Sequence, residues 1–170
     1  MNIGLLLVRL VFGALMAAHG TQKLFGWFGG YGLTGTGGFF DGLGFRPGRL
    51  FAAAAGLAET FGGLLLALGF LTPLAAMAIV SVMVVAIGSV HWGHGLFAAT
   101  NGVEVPLLYA SAAAAIALVG PGAYSFDAIF GLVSAWTPTV RMLAVAVGLA
   151  GGLANLMLRR PVPVAVARSA

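Results

Sequence analysis

The sequence contains no cysteine and very few charged residues. Charged side chains make up 7% of the 170 residues and hydrophobic residues make up 61%, whereas about a quarter of a typical soluble domain is charged. This composition excludes an ordinary soluble domain and indicates an integral membrane protein. Without cysteine the chain has no disulfide, no CxxC exchange centre and no thiolate-held cluster, so any redox role requires a borrowed cofactor.

Acidic residues are the scarcer charged class. There are four Asp and Glu against eight Lys and Arg, with a formal net charge of +4. Most of the basic residues stand at the ends of apolar runs, where such residues orient a membrane protein and contact anionic lipid. The positive charge therefore indicates membrane lipids as partners and implies no nucleic-acid partner.

Five apolar runs divide the sequence. About 20 apolar residues, at a rise of about 1.5 Å each, cross the hydrocarbon of a bilayer. Uninterrupted runs also argue against an outer-membrane barrel, whose strands alternate apolar and polar residues. The predicted fold class is therefore all-α, a polytopic membrane four-helix bundle with an additional C-terminal helix. The runs cover residues 3–25, 49–70, 73–90, 104–119 and 140–158.

Two segments between the runs are predicted to lie at the membrane interface. Residues 26–48 contain too many glycines for a regular helix, and Trp27, Phe28 and Tyr31 are residue types that settle at headgroup level. This segment is predicted to be a loop that forms a lid or re-entrant cap over the helix ends, because it lacks the Gly-Lys-Ser/Thr of a phosphate-binding loop. Residues 123–136 are predicted to lie along the interface as well.

Polar residues are predicted to gather at one membrane face. His19 and Lys23 end the first run, His91 and His94 end the third, and Glu104 begins the fourth. Because successive helices reverse direction, all five reach the same face, beneath the glycine-rich segment. Each has an ordinary explanation alone: a lysine extends to phosphates, an interfacial histidine bonds a carbonyl, and a glutamate suits a helix N-terminus. Together they form a candidate site.

Two further charges lie inside apolar runs. If His19 is level with Arg49 in an antiparallel helix pair, Arg9 is level with Glu59, about 15 Å below the histidine face. An unpaired charge at the bilayer centre costs at least about 2.5 kcal/mol. Arg9 and Glu59 are therefore predicted to form a structural ion pair, in preference to a proton relay.

These residues resemble, in order and spacing, the motifs of the DoxX family. The resemblance rests on Arg9-Leu10 with Gly13, His19-Gly20 with residues 23–26, Gly44-Phe45 with Pro47, residues 56–59 with Gly62-Gly63, residues 68–73, the His91 region, Glu104, and residues 120–122 with Ser125 and Asp127. It implies a four-helix inner-membrane domain over residues 1–127. Residues 128–170 are then an interfacial segment, a fifth transmembrane helix and a short basic tail.

The resemblance implies a group in which some proteins are associated with quinone-linked sulfur oxidation or membrane redox-defence complexes. The favoured hypothesis is a small subunit of a membrane redox assembly, with a protein partner or a second copy of the chain. Lys23 and the imidazoles would bind a quinone head group, and Glu104 or a histidine would pass its proton. That site comprises His19, Lys23, His91, His94 and Glu104.

Two other functions remain open from the sequence, and catalysis itself is undecided. A scaffold that binds lipid or a partner protein would use the same polar residues only for headgroup contacts. A haem or metal site would use two of the three histidines, and it ranks lowest because only the spacing of His91 and His94 suggests it.

Orientation follows from the distribution of basic residues. With five spans only Arg141 lies at the opposite face, so the positive-inside rule predicts that the histidine face is cytoplasmic. Reporter fusions after Arg49 and at Ala170 should then report the same side. The basic residues of the histidine face are Lys23, Arg46, Arg49, Arg159, Arg160 and Arg168.

Overall fold

The computed structural model describes residues 2–160. Within this range the chain is all-α and contains no strand, which confirms the predicted fold class. A π-helical turn, Ile87–His91, and a 3-10 turn, Trp92–His94, continue the fourth helix. Arg168 and the predicted basic tail lie outside the described residues. The helices are α1 Asn2–Phe25, α2 Gly32–Gly42, α3 Gly48–Leu68, α4 Thr72–Ala86, α5 Glu104–Val119, α6 Phe126–Ile129 and α7 Pro138–Met157.

Among the described residues, four helices are long and apolar enough to cross a membrane: α1, α3, α7 and α4 with its continuation to His94. Helix α5 has only 16 residues, about 24 Å at 1.5 Å per residue, but it joins the two faces of the bundle. It begins at Glu104, close after the His91 turn, and the segment after it contacts α1 at Arg9. The chain is thus a multi-pass membrane protein in contact with lipid.

The fifth predicted run forms α7, which packs along α4 in the same direction. Gly148 lies against the backbone of Met77, and Gly152 lies against the backbone of Ser81, so both helices advance by four residues between the two contacts. Since α4 runs toward the histidine face, α7 returns there too. Its end is attached to that face, where the Arg160 N–H donates to the Gly44 carbonyl at 2.8 Å. The cytoplasmic orientation of this face stays a prediction.

Close glycine contacts set the register between α1 and α3. A Cβ on Gly13 would lie 2.6 Å from the Gly63 carbonyl oxygen, and a Cβ on Gly20 would lie 2.6 Å from the Gly56 carbonyl oxygen. The backbones can approach this closely only because both contacts lack side chains. His19 is therefore level with the residues around Gly56, about two turns away from Arg49.

This register shows that the predicted Arg9–Glu59 ion pair is wrong. Glu59 is level with the residues just before Gly20, and Lys23, in the last turn of α1, extends back to pair with it. Arg9 lies beside Gly69, at the far end of α3, and donates to the carbonyl oxygens of Pro121 and Tyr124. The prediction assumes that His19 and Arg49 are level, whereas the glycine contacts offset these two residues by about two helical turns.

Asp127 completes a buried polar cluster around Arg9 at the face opposite the histidines. Its carboxylate accepts hydrogen bonds from Leu71 N (2.8 Å), Thr72 N (3.0 Å) and Thr72 Oγ1 (2.7 Å). Both Arg9 and Asp127 are buried. The cluster joins the start of α1, the turn between α3 and α4, and the segment after α5.

The glycine-rich segment contains a helix, contrary to the expectation from its composition. Helix α2 packs on α3 with Gly37 against the backbone of Arg49, where a Cβ would lie 3.1 Å from the Arg49 Cα. The Asp41 carboxylate accepts the Gly48 N–H at 2.8 Å. Packing that only a bare backbone permits thus offsets the low helix propensity of glycine. Trp27, Phe28 and Tyr31, ahead of α2, are exposed as interfacial residues should be.

Candidate functional site

The candidate site is built around an ion pair between Lys23, in the last turn of α1, and Glu59, in the middle of α3. Lys23 Nζ lies 2.5 Å from Glu59 Oε2, and the side chains are 26% and 3% exposed. The pair keeps unused hydrogen-bonding capacity. An ammonium has three N–H donors, whereas Lys23 makes one hydrogen bond, and Glu59 Oε1 accepts none within residues 2–160.

A cavity of about 550 Å³ lies between α2, α3, α4 and α7, and is called here the large cavity. Most of its lining is aliphatic or aromatic, with Ser81, Ser89 and Asn155 as neutral polar members. Its ionisable members are Lys23, Glu59 and His91. The other lining residues are Phe39, Phe40, Leu43, Phe51, Ala54, Ala55, Ala58, Met77, Ala78, Val82, Val85, Ala86, Val90, Val147, Gly148 and Gly151.

A second cavity of about 120 Å³, called here the small cavity, lies among α1, α3, α4 and α5. It shares Lys23, Glu59, Ala86 and His91 with the large cavity. The ion pair and His91 therefore stand where the two cavities adjoin. The remaining residues of the small cavity are Met16, His19, Met83, Val105, Pro106 and Tyr109.

His91 is the last residue of the π-helical turn that continues α4. Such turns are frequent at functional sites. Its Nδ1 lies 2.7 Å from the Asn101 carbonyl oxygen, which can only accept, so Nδ1 carries the proton in the neutral ring. Nε2 is then an acceptor available to a ligand.

Of the five residues predicted for the site, the structure brings His19, Lys23 and His91 together around the small cavity. His94 and Glu104 line neither cavity. The exposed His94 has its Nδ1 2.9 Å from the Val90 carbonyl oxygen, and Glu104 accepts the Ala98 N–H at 2.7 Å. Both therefore hold the turn before α5 through local hydrogen bonds.

Glu59 and Tyr109 are missing from the site predicted from the sequence. In the sequence, Glu59 is a charged residue inside an apolar run, but the predicted alignment of the first two runs pairs it with Arg9. Tyr109 is a phenol among the mostly apolar residues of α5, and it is 9% exposed. Its ring lies edge-on to His19, with centroids 5.7 Å apart. A buried tyrosine usually finds a hydrogen-bond partner, and that signal could have identified it.

Metal ligation has little support in the described part of the chain. Within residues 2–160, no three His, Asp or Glu side chains lie close enough together to hold a metal ion. His91 and His94 do not face one cavity, so the histidine pair suggested by their spacing is not arranged around a common centre.

The comparison with known proteins gives one match. The family model described as DoxX matches residues 4–92, more than half of the chain. The matched range includes Lys23, Glu59 and His91 but not α5 or α7. The predicted domain boundary at residue 127 stays a prediction. No curated protein and no solved structure matches the chain. Four residues that line the large cavity, from Val147 to Asn155, thus come from beyond the matched range.

Proposed function

The chain belongs to the DoxX family, and from this premise we propose that it binds an amphipathic carrier of the quinone class in the large cavity. One observation supports this most directly. A partly buried ion pair, with donors and an acceptor unused within residues 2–160, faces a mostly apolar cavity of about 550 Å³. Small-molecule sites typically have volumes of about 300–1,000 Å³, apolar walls and a few orienting polar groups.

The polar residues of the large cavity can bind both the oxidised and the reduced form of a quinone. The remaining N–H donors of Lys23 can bond a quinone carbonyl, and its positive charge stabilises a reduced, anionic oxygen. His91 Nε2 can accept a hydrogen bond from a hydroquinone hydroxyl. The aromatic and aliphatic walls accommodate the isoprenoid tail. We place the protein in the inner membrane as the quinone-binding subunit of a redox assembly whose electrons come from a cofactor-bearing partner.

A scaffold that binds lipid without chemistry is the second candidate. It is supported by the same apolar walls, because an acyl chain fits them as well as an isoprenoid tail does. The two candidates differ in what the polar residues recognise: a quinone carbonyl in one case, a lipid headgroup in the other.

Quinone binding to purified protein in nanodiscs tests the proposal. Lys23→Met should weaken binding of a short-tailed ubiquinone analogue at least tenfold, because a hydrogen bond to a charged group is worth about 1.5–3 kcal/mol. His91→Ala should weaken binding of the reduced, ubiquinol form of the analogue about fivefold, because only the hydroquinone has a hydroxyl that can donate to Nε2, and such a bond is worth about 1 kcal/mol. His94→Ala is the matched control, since His94 is exposed outside both cavities, and its affinity should stay within about twofold of wild type.

Three results would count against quinone binding. Equal losses in His94→Ala and His91→Ala would show that the effect is not local to the cavity. Displacement of the analogue by added phospholipid at similar concentrations would favour the scaffold. A Soret band in the purified protein would favour haem.

A further inference from the structure

Several polar atoms that line the small cavity have no protein hydrogen-bond partner within residues 2–160. Tyr109 makes no side-chain hydrogen bond within residues 2–160, and neither does Glu59 Oε1. His19 and His91 each use Nδ1, with Gln22 Oε1 at 3.1 Å and the Asn101 carbonyl at 2.7 Å. Their Nε2 atoms make no hydrogen bond with the described part of the chain. Polar groups in such a position are normally satisfied by ordered water.

The volume of the small cavity fits that requirement. At about 30 Å³ per water in the liquid, a volume of about 120 Å³ holds about four waters. The polar groups lie on three different helices, with His19 on α1, Glu59 on α3 and Tyr109 on α5. His19 is exposed, whereas Tyr109 and Glu59 are buried. The lining therefore extends from an exposed imidazole to the buried carboxylate of the ion pair.

We propose that the small cavity is a hydrated vestibule through which protons pass between the aqueous face and Glu59. A hydronium at the His19 end transfers its excess proton along the waters. The Glu59 carboxylate takes up one proton and becomes a neutral carboxyl, while a water molecule remains behind. Tyr109 and His19 are positioning residues that hold the waters. Glu59 lines both cavities, so the proton arrives at the wall of the large cavity.

The use of that proton rests on the proposed function, but hydration of the cavity does not. In the large cavity the proton would neutralise the oxygen of a quinone reduced by the partner assembly. This places the entry of protons on the α1–α5 side of the ion pair and the entry of the ligand on the α2–α7 side. The two sides can be tested separately.

The absence of native cysteine allows water access to be tested with single cysteines. Met83 lines the small cavity, and Ile79, one turn earlier in α4, is buried and lines neither cavity. Met83→Cys in vesicles should react with 2-aminoethyl methanethiosulfonate at least tenfold faster than Ile79→Cys, as measured by mass spectrometry. Equal rates for the two folded variants would overturn the proposal.

Infrared spectroscopy tests the carboxyl directly in the wild-type protein, and a variant is needed only to assign its band. The chain has only four Asp and Glu, so the Glu59 band can be assigned by subtracting the spectrum of Glu59→Gln. In the wild-type protein, acidification should convert the carboxylate band of Glu59 into a carboxyl band. Transfer into D₂O should shift that carboxyl band within seconds. A Glu59 band that changes neither with bulk pH nor in D₂O would also overturn the proposal.

The two proposals fail in different ways. Fast labelling of Met83→Cys without any quinone binding would leave the hydrated vestibule in place and remove the proposed function. Quinone binding that depends on Lys23, combined with equal labelling of Met83→Cys and Ile79→Cys, would support the proposed function and remove the hydrated vestibule.

Discussion

Removing Lys23 should destabilise the protein more than removing Glu59, although the two residues form one ion pair. The Glu59 side chain is 3% exposed, whereas that of Lys23 is 26% exposed. Lys23→Met leaves a carboxylate buried without its counter-ion, and we expect a loss of about 3 kcal/mol in the free energy of unfolding. Glu59→Gln leaves an ammonium that can extend toward water on its flexible stem, and we expect a loss of about 1 kcal/mol.

The double variant, Lys23→Met with Glu59→Gln, removes both charges and should lose about 2 kcal/mol, less than the sum of the single losses. Unfolding in mixed micelles with increasing fractions of sodium dodecyl sulfate, followed by far-ultraviolet circular dichroism, measures all four proteins. His94→Gln serves as the control, because that side chain is exposed and contacts only local backbone. Additive losses, or a larger loss for Glu59→Gln than for Lys23→Met, would refute the reasoning from burial.

Two further predictions concern packing. Gly13→Ala should destabilise by about 1–3 kcal/mol, because the new Cβ would lie 2.6 Å from the Gly63 carbonyl oxygen; the control Gly4→Ala, with nothing within 4 Å, should be neutral or slightly stabilising in the same micelle titration. Asp127→Asn should cost about 2 kcal/mol, because it weakens three hydrogen bonds to the turn before α4, and hydrogen exchange should speed up at the amides of Leu71 and Thr72. A similar effect from Asp41→Asn, whose carboxylate accepts one hydrogen bond within residues 2–160, would contradict that explanation.

Helix α7 builds one wall of the large cavity. Gly148 and Asn155 line that cavity, yet both lie beyond residues 4–92, which match the family model. Arg159 Nε donates to the Leu43 carbonyl at 2.9 Å and so attaches the end of α7 to the segment after α2. The shape of the large cavity is therefore a property of this whole chain, and the matched range alone does not build it.

The five apolar helices α1, α3, α4, α5 and α7, and their alternation, could be predicted from the sequence because each depends on local composition. A run of apolar residues has to be helical in lipid, where every backbone polar group needs an internal partner. The turn at Leu71-Thr72-Pro73 and the stop at Gly120-Pro121 follow from the chemistry of single residues. The same reasoning placed His19, Lys23 and His91 at one face, since a helix end carries its polar residues to the interface.

Only the tertiary structure decided the depth of each residue relative to its neighbours. Run length sets where a helix can span but not which residue of the next helix stands beside it, and here the contacts of Gly13 and Gly20 with α3 set that register. They bring Lys23 to Glu59 and leave Arg9 to the segment after α5. Helix α2 likewise forms because its glycines permit backbone contact with α3, an effect of packing that outweighs local propensity.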